Sequence, residues 1–189
     1  MMRRLLNPCR RVFLIDPTRD NKFNDFAPIC PTLEEAGVIS DAPAFRVRLV
    51  TEHQDAFETV CWLAYQHRKN CLIAVDEIHE FVPSFHAGIP FWFRKCVLRG
   101  RHEGISIIGA SQRTANVHND FLFAAAAHRV YVFRTPTEDL GGLKRYKPLH
   151  AASTLAVGQF ITWPETGGSP GKGPGANRAY KRTSHEKTG

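Results

Sequence analysis

The run Cys71-Leu72-Ile73-Ala74-Val75 ends abruptly in two adjacent carboxylates, Asp76 and Glu77. A short, β-branched apolar run bounded by polar residues reads as a buried strand of a parallel sheet. Ligands of open α/β sheets sit at the carboxyl ends of the strands, so both acids emerge where chemistry is done. Their order suits nucleotide hydrolysis. Asp76 can hold Mg²⁺ through its water shell, and Glu77 can polarise an attacking water. In isolation the same pattern also describes a buried strand that ends in solvated acids.

A second apolar strand, Ile105 to Ala110, leads into Ser111-Gln112-Arg113. If the two strands are neighbours, Gln112 emerges at the same edge as Asp76 and Glu77. Its amide can then hydrogen-bond a γ-phosphate or the water that attacks it. Between the strands lie a helical stretch, Ile89 to Leu98, and the segment Arg99-Gly100-Arg101-His102. Repeated strand–helix alternation argues for an α/β fold with a largely parallel sheet.

The order strand-Asp-Glu, helix, Arg-Gly-Arg-His-x-Gly, strand, Ser-Gln-Arg resembles the FtsK–HerA superfamily of ring-forming P-loop ATPases. That superfamily includes DNA pumps, viral packaging ATPases and conjugation motors. The pattern is also similar to the related Zot-type ATPases of filamentous phage. The resemblance spans Arg11 to Tyr146. It implies a P-loop NTPase-like, RecA-like ASCE fold, a mostly parallel sheet flanked by helices. It implies ATP and Mg²⁺ as cofactors, with Asp76 at the metal, Glu77 and Gln112 at the chemistry, and Asp16 and Arg113 near the nucleotide. Arg99, Arg101 and Arg113 become candidates for an arginine finger that reaches a neighbouring subunit's nucleotide, with Arg101 foremost. A homo-oligomeric ring and DNA are the implied partners.

The departure from that pattern is large. A P-loop needs G-x-x-x-x-G-K-[ST], whose amides and lysine cradle the phosphates, and no such motif occurs in these residues. The near match Gly167-Gly168-Ser169-Pro170-Gly171-Lys172-Gly173 is one residue short and lacks the hydroxyl that binds Mg²⁺. Met1-Met2-Arg3-Arg4-Leu5-Leu6 reads like the middle of an amphipathic helix without an N-cap. Arg11 to Ile15 then reads as a strand, followed by Asp16-Pro17. In the resembled superfamily such a strand follows the P-loop helix. The expectation is a chain whose first strand and phosphate loop are missing, leaving backbone groups of the neighbouring strand unpaired.

A net charge of +7 favours an acidic partner such as nucleic acid or an anionic membrane. Much of it lies at the ends, with Arg3, Arg4, Arg10 and Arg11 at the start and Lys172, Arg178, Lys181, Arg182 and Lys187 near the finish. The five cysteines form no C-x-x-C pair, and Cys61, Cys71 and Cys96 lie in apolar runs. They read as small core residues suited to a reducing cytoplasm, not as disulfides or zinc ligands. No apolar stretch approaches the ~20 residues of a membrane span. His79 and Glu80 follow the acidic pair, but the spacing is not H-E-x-x-H, so they read as structural neighbours.

Along the chain, Val12–Ile15 is expected as a strand. Residues 16–44 are expected to be irregular, broken by Pro17, Pro28, Pro31 and Pro43. Phe45–Val50 is expected as a strand, and a helix from Thr51 or Glu52 through Tyr65 carries apolar residues at helical spacing. Phe81–Gly88 reads as a loop. Phe81, Phe85, Phe91, Trp92 and Phe93 read as core aromatics, with base stacking as the alternative. A helix through Phe121–Ala127, a strand over Arg129–Phe133, a short helix capped by Thr137 and a last strand over Gly158–Trp163 complete an ATPase-like domain of residues 1–163. The Gly/Pro/Lys-rich residues 164–189 read as a disordered tail. Three functions fit: the ATPase-like domain of a phage, prophage or plasmid DNA motor; a non-catalytic truncated remnant or assembly subunit that binds DNA or partners; and a Zot-like assembly protein, which would carry a membrane span after this domain.

Overall fold

Five strands of the computed structural model form one parallel sheet: β1 (Arg11–Ile15), β2 (Ile29–Cys30), β3 (Phe45–Leu49), β4 (Leu72–Val75) and β5 (Ser106–Gly109). Their spatial order is β2-β3-β1-β4-β5, and each neighbouring pair is parallel. The structure describes residues 6, 8–84, 88–126, 130–156 and 159–163. The chain divides into two compact units, Met1–Gln112 and Arg113–Gly189.

Strands β1 and β4 lie inside the sheet because both of their faces are covered. Val12, Leu14, Leu72 and Ala74 pack with Leu6, Phe23, Phe26 and Ala27 on one face. The alternate residues Phe13, Ile15, Ile73 and Val75 point to the other face and are fully buried as well. Burial on both sides is what the unbroken apolar runs encode.

Helix α2 (Gln54–Leu63) and helix α3 (Phe91–Arg99) pack through aromatic contacts within the first unit. The Phe57 ring lies 4.7 Å from Phe81 and 5.0 Å from Phe93. The Cys96 thiol donates to the Cys61 carbonyl at 3.4 Å. Phe81 and Phe93 are therefore core residues, whereas Phe91 is exposed; Phe85 lies outside the described residues. All five cysteines are free.

The segment 16–44 is more ordered than its prolines suggest. It contains a 3-10 turn (Asn21–Phe23), β2 and helix α1 (Leu33–Ile39). Pro28 and Pro31 sit between these elements, so they punctuate the segment without preventing it from folding. Helix α1 starts at Thr32, whose hydroxyl accepts from the Glu35 amide at 3.1 Å. The Thr32-x-x-Glu35 spacing is a helix-start signature.

In the second unit, helix α4 (Asn119–Ala126), strand β6 (Val130–Phe133) and strand β7 (Phe160–Trp163) are joined by 3-10 helices over Thr137–Arg145 and Lys147–Thr154. Strands β6 and β7 pair antiparallel as a separate two-stranded sheet. Thr137 lies inside its helix. Pro136 is the capping residue, and no side chain caps that end. The second 3-10 helix is an addition to the expected elements. The helix expected over Met1–Leu6 (but for Leu6), the Gly167–Gly173 run and the tail from Pro164 lie outside the described residues.

Strand β5 is the least buried strand of the parallel sheet. Ser106 and Gly109 are exposed, and Ile107 and Ile108 are half-buried. Among the described residues it pairs only with β4.

Candidate active site

Parallel register brings three chain segments to one edge of the sheet. Ile15 lies opposite Val75, and Val75 lies opposite Gly109. The ladder continues past the strand ends: Asp16 N–H donates to Leu49 O, Asp76 N–H to Ile15 O and Ala110 N–H to Val75 O, each at 2.9 Å. Asp16, Asp76 and the Ser111-Gln112 segment therefore leave the sheet side by side.

Glu77 adopts a left-handed conformation, φ 48° and ψ 54°. A residue with a Cβ pays for this backbone, and the turn aims its side chain across to the end of β5. Gln112 Nε2 donates to Glu77 Oε1 at 2.8 Å, and the Gln112 amide lies 3.4 Å from Oε2. His79 Nδ1 is 3.4 Å from Glu77 Oε2 and 3.1 Å from Ser111 Oγ, and its Nε2 is 3.2 Å from Glu80 Oε1. His79 thus lies between Glu77 and Ser111.

Asp76 is buried, and its Oδ2 accepts from Lys22 Nζ at 2.8 Å. The same ammonium lies 2.7 Å from Asp20 Oδ2. Hydrogen bonds from the Lys22 side chain and backbone hold the Asp20 carboxyl below its ordinary range. Partial burial works against the charge of Lys22, but hydrogen bonds to Asp20 and Asp76 outweigh it and leave its pKa raised.

Asp16, expected near the nucleotide, turns its carboxylate to protein donors. It is fully buried, and Arg48, also fully buried, donates to its Oδ2 from Nε at 3.0 Å and Nη2 at 2.6 Å. Its carboxylate also accepts from the Asp20 amide at 3.0 and 3.2 Å and from Thr18 Oγ1 at 3.2 Å. Arg48 further donates to Asn24 Oδ1 and the Asp20 carbonyl, both at 2.8 Å. Asp16 is thus an anchor for the loop that presents Lys22. Its oxygens face protein donors because a buried guanidinium requires an anionic partner.

The arginines are dispersed. Arg101 precedes β5, in the 3-10 helix Gly100–Glu103, and is exposed, with its Nε 3.4 Å from His102 Nε2. The Glu103 carbonyl accepts from the Asn70 amide at 2.7 Å before either strand begins. Arg101 therefore sits at the amino edge of the sheet, opposite Asp76 and Glu77. Arg99 is exposed at the end of α3. Arg113 opens the second unit and pairs with Asp139 there at 3.1 Å.

Lys22 and Arg48 were not candidates on sequence. Arg48 carried a signal, being a cation within the apolar run Phe45-Arg46-Val47-Arg48-Leu49; Lys22 carried none. Mg²⁺ takes one or two carboxylates and completes its shell with water and phosphate. Asp76 fits that demand: it is a largely buried carboxylate already turned to a cation. Among the described residues no three His, Cys, Asp or Glu converge on a metal position, so the remaining oxygens would come from solvent and nucleotide.

No protein-family model and no curated protein sequence matches this chain. Solved structures do. The genome packaging NTPase B204 of Sulfolobus turreted icosahedral virus 2, in complex with AMPPCP, superposes with a TM-score of 0.67. The two chains are 16% identical over 85% of this chain and 80% of that one. The fold is P-loop NTPase-like. The DNA-packaging ATPase B204 of Sulfolobus Turreted Icosahedral Virus gives a TM-score of 0.64 at 16% identity, over 85% of this chain and 80% of that one. The N-terminal domain of zonular occludens toxin from Neisseria meningitidis gives a TM-score of only 0.37 at 13% identity, over 82% and 84% of the two chains. At these identities the likeness is one of fold.

Proposed function

We propose that this chain is the ATPase-like domain of a DNA-packaging or translocation motor of the FtsK–HerA kind. The observation that carries this reading is the meeting of Asp76, Glu77 and Gln112 at one carboxyl edge, with Gln112 hydrogen-bonded to Glu77. The fold shared with a viral genome packaging NTPase supports it.

In this reading Asp76 holds the Mg²⁺ of Mg·ATP, which would neutralise charge on the phosphates. Glu77 orients and polarises the attacking water. Gln112 exchanges its bond to Glu77 for one to the γ-phosphate or that water, coupling the presence of nucleotide to release of the base. Arg101, on the opposite edge from its own site, serves a neighbouring subunit's nucleotide in a homo-oligomeric ring, and Arg113 follows the sensor in the chain. The net charge of +7 suits DNA as the partner.

The phosphate-cradling motif is not among these 189 residues, so turnover requires that a phosphate loop be supplied. The test is a fusion that supplies a first strand and loop. Glu77→Gln should then abolish turnover while Mg·ATP binding persists. Asp76→Asn should weaken Mg²⁺-dependent binding, and Gln112→Ala should slow hydrolysis with less effect on binding. Full turnover in Glu77→Gln would sink the reading.

A non-catalytic assembly subunit is the second reading. It is favoured by the absent motif and by the Lys22 ammonium already neutralising Asp76. Mg·ATP hydrolysis by the chain alone would exclude it. No comparable observation favours a Zot-like protein.

A further inference from the structure

We propose that Lys22 is a built-in competitor of the divalent cation for Asp76 and sets the metal concentration at which the site loads. The proposal rests on the reading that Asp76 holds that cation.

Lys22 Nζ lies between two carboxylates, 2.8 Å from Asp76 Oδ2 and 2.7 Å from Asp20 Oδ2. The two partners differ in freedom. The Lys22 side chain is 47% exposed, whereas that of Asp76 is 7% exposed. Asp76 cannot turn away to meet a metal elsewhere, but Lys22 can leave into solvent.

The backbone beneath Lys22 is held from several directions. Its amide donates to Asp20 Oδ1 at 2.9 Å, and the next residue, Phe23, is fully buried. The Asp20 amide and carbonyl are tied to Asp16 and Arg48, and Asn24 is tied to Arg48. The loop is thus fixed on the buried Asp16–Arg48 pair, and the aliphatic stem of Lys22 is the movable part.

A divalent ion and an ammonium on one carboxylate oxygen repel strongly at such separations. They therefore exclude each other on Asp76 Oδ2. Lys22 displaced from Asp76 keeps Asp20 as a partner, so the exchange leaves no charge stranded. In the metal-free state the ammonium neutralises a carboxylate that burial would otherwise penalise.

The experiment measures Mn²⁺ binding to the full chain by the loss of the free-ion paramagnetic resonance signal. Lys22→Met and Lys22→Gln should each bind Mn²⁺ about tenfold more tightly than the parent, and Asp76→Asn in either background should reverse the gain. A loop disordered by substitution would weaken binding, so tightening separates competition from damage. Should both Lys22 variants bind no tighter while Asp76→Asn weakens binding, the competition is refuted and the metal role of Asp76 stands. Mn²⁺ binding indifferent to Asp76→Asn in every background, or none at all, refutes the metal role and the proposal together.

Discussion

Arg48 and Asp16 are the residues on which the carboxyl edge is built. Both are fully buried and joined by two hydrogen bonds, at 3.0 and 2.6 Å. Removing one member of such a pair leaves the other charge stranded, at a cost of about 3–5 kcal/mol. Arg48→Met is expected to show a loss of that size in chemical denaturation; a loss within the noise of a surface substitution would show that the pair anchors nothing. The Asp20–Lys22 pair adds a pH dependence. The Asp20 carboxyl is depressed, chiefly by the hydrogen bond from the Lys22 side chain. Its contribution is present above the ordinary aspartate range and is lost as pH falls through the depressed value. The Lys22 pKa is raised once its bonds to Asp20 and Asp76 outweigh burial, so its contribution is lost as pH rises through that raised value. Lys22→Met should flatten both limbs of the stability profile. A variant with an unchanged acid limb would contradict the Asp20 assignment.

At the scale of elements, the turn after β4 stores strain. Glu77 is held at φ 48° by the ladder bonds of Asp76 and Ile78 to β1 and the segment after β5. Removing the side chain as Ala keeps the strained Cβ, whereas Gly removes it. Glu77→Gly is therefore expected to be more stable than Glu77→Ala by about 1 kcal/mol. Thermal melting of the two variants decides it, and equal melting temperatures would mean that the turn relaxes freely. Helix α3 shows a different device. Pro90 precedes it without a side-chain cap, and Glu58 of α2 accepts the Trp92 and Phe93 amides at 2.8 and 3.3 Å. Glu58→Ala should cost about 1 kcal/mol, as loss of an N-cap does, measured by the shift of the denaturation midpoint.

For the whole molecule, protection should follow sheet position. Strand β1 is flanked by β3 and β4, whereas β5 has a single partner among the described residues. The Ser106 and Ala110 amides donate to the Cys71 and Val75 carbonyls, on the β4 side, so by alternation the Ile107 and Gly109 amides face away from it. Hydrogen exchange should be fast at Ile107 and Gly109 and slow throughout Val12–Ile15. Uniform protection across β5 would mean that its outer edge is covered.

Much of the first unit was legible because parallel strands buried on both faces must be apolar throughout, and β1 and β4 announce themselves that way, while β5 shows as an apolar run although it is only half-buried. Their polar successors, Asp16, Asp76 and Gln112, could be assigned to one edge from strand direction alone. Helix α1 carries its own start signal in Thr32-x-x-Glu35, but the surrounding prolines mask it in the sequence. What only the tertiary structure decided was the set of partners at that edge. Lys22 meets Asp76 across 54 residues and Arg48 meets Asp16 across 32. Periodicity reports which face of an element is buried; it carries no record of which distant charge a loop will bring to a buried acid. That choice is made by packing, where an isolated charge cannot be left without a partner.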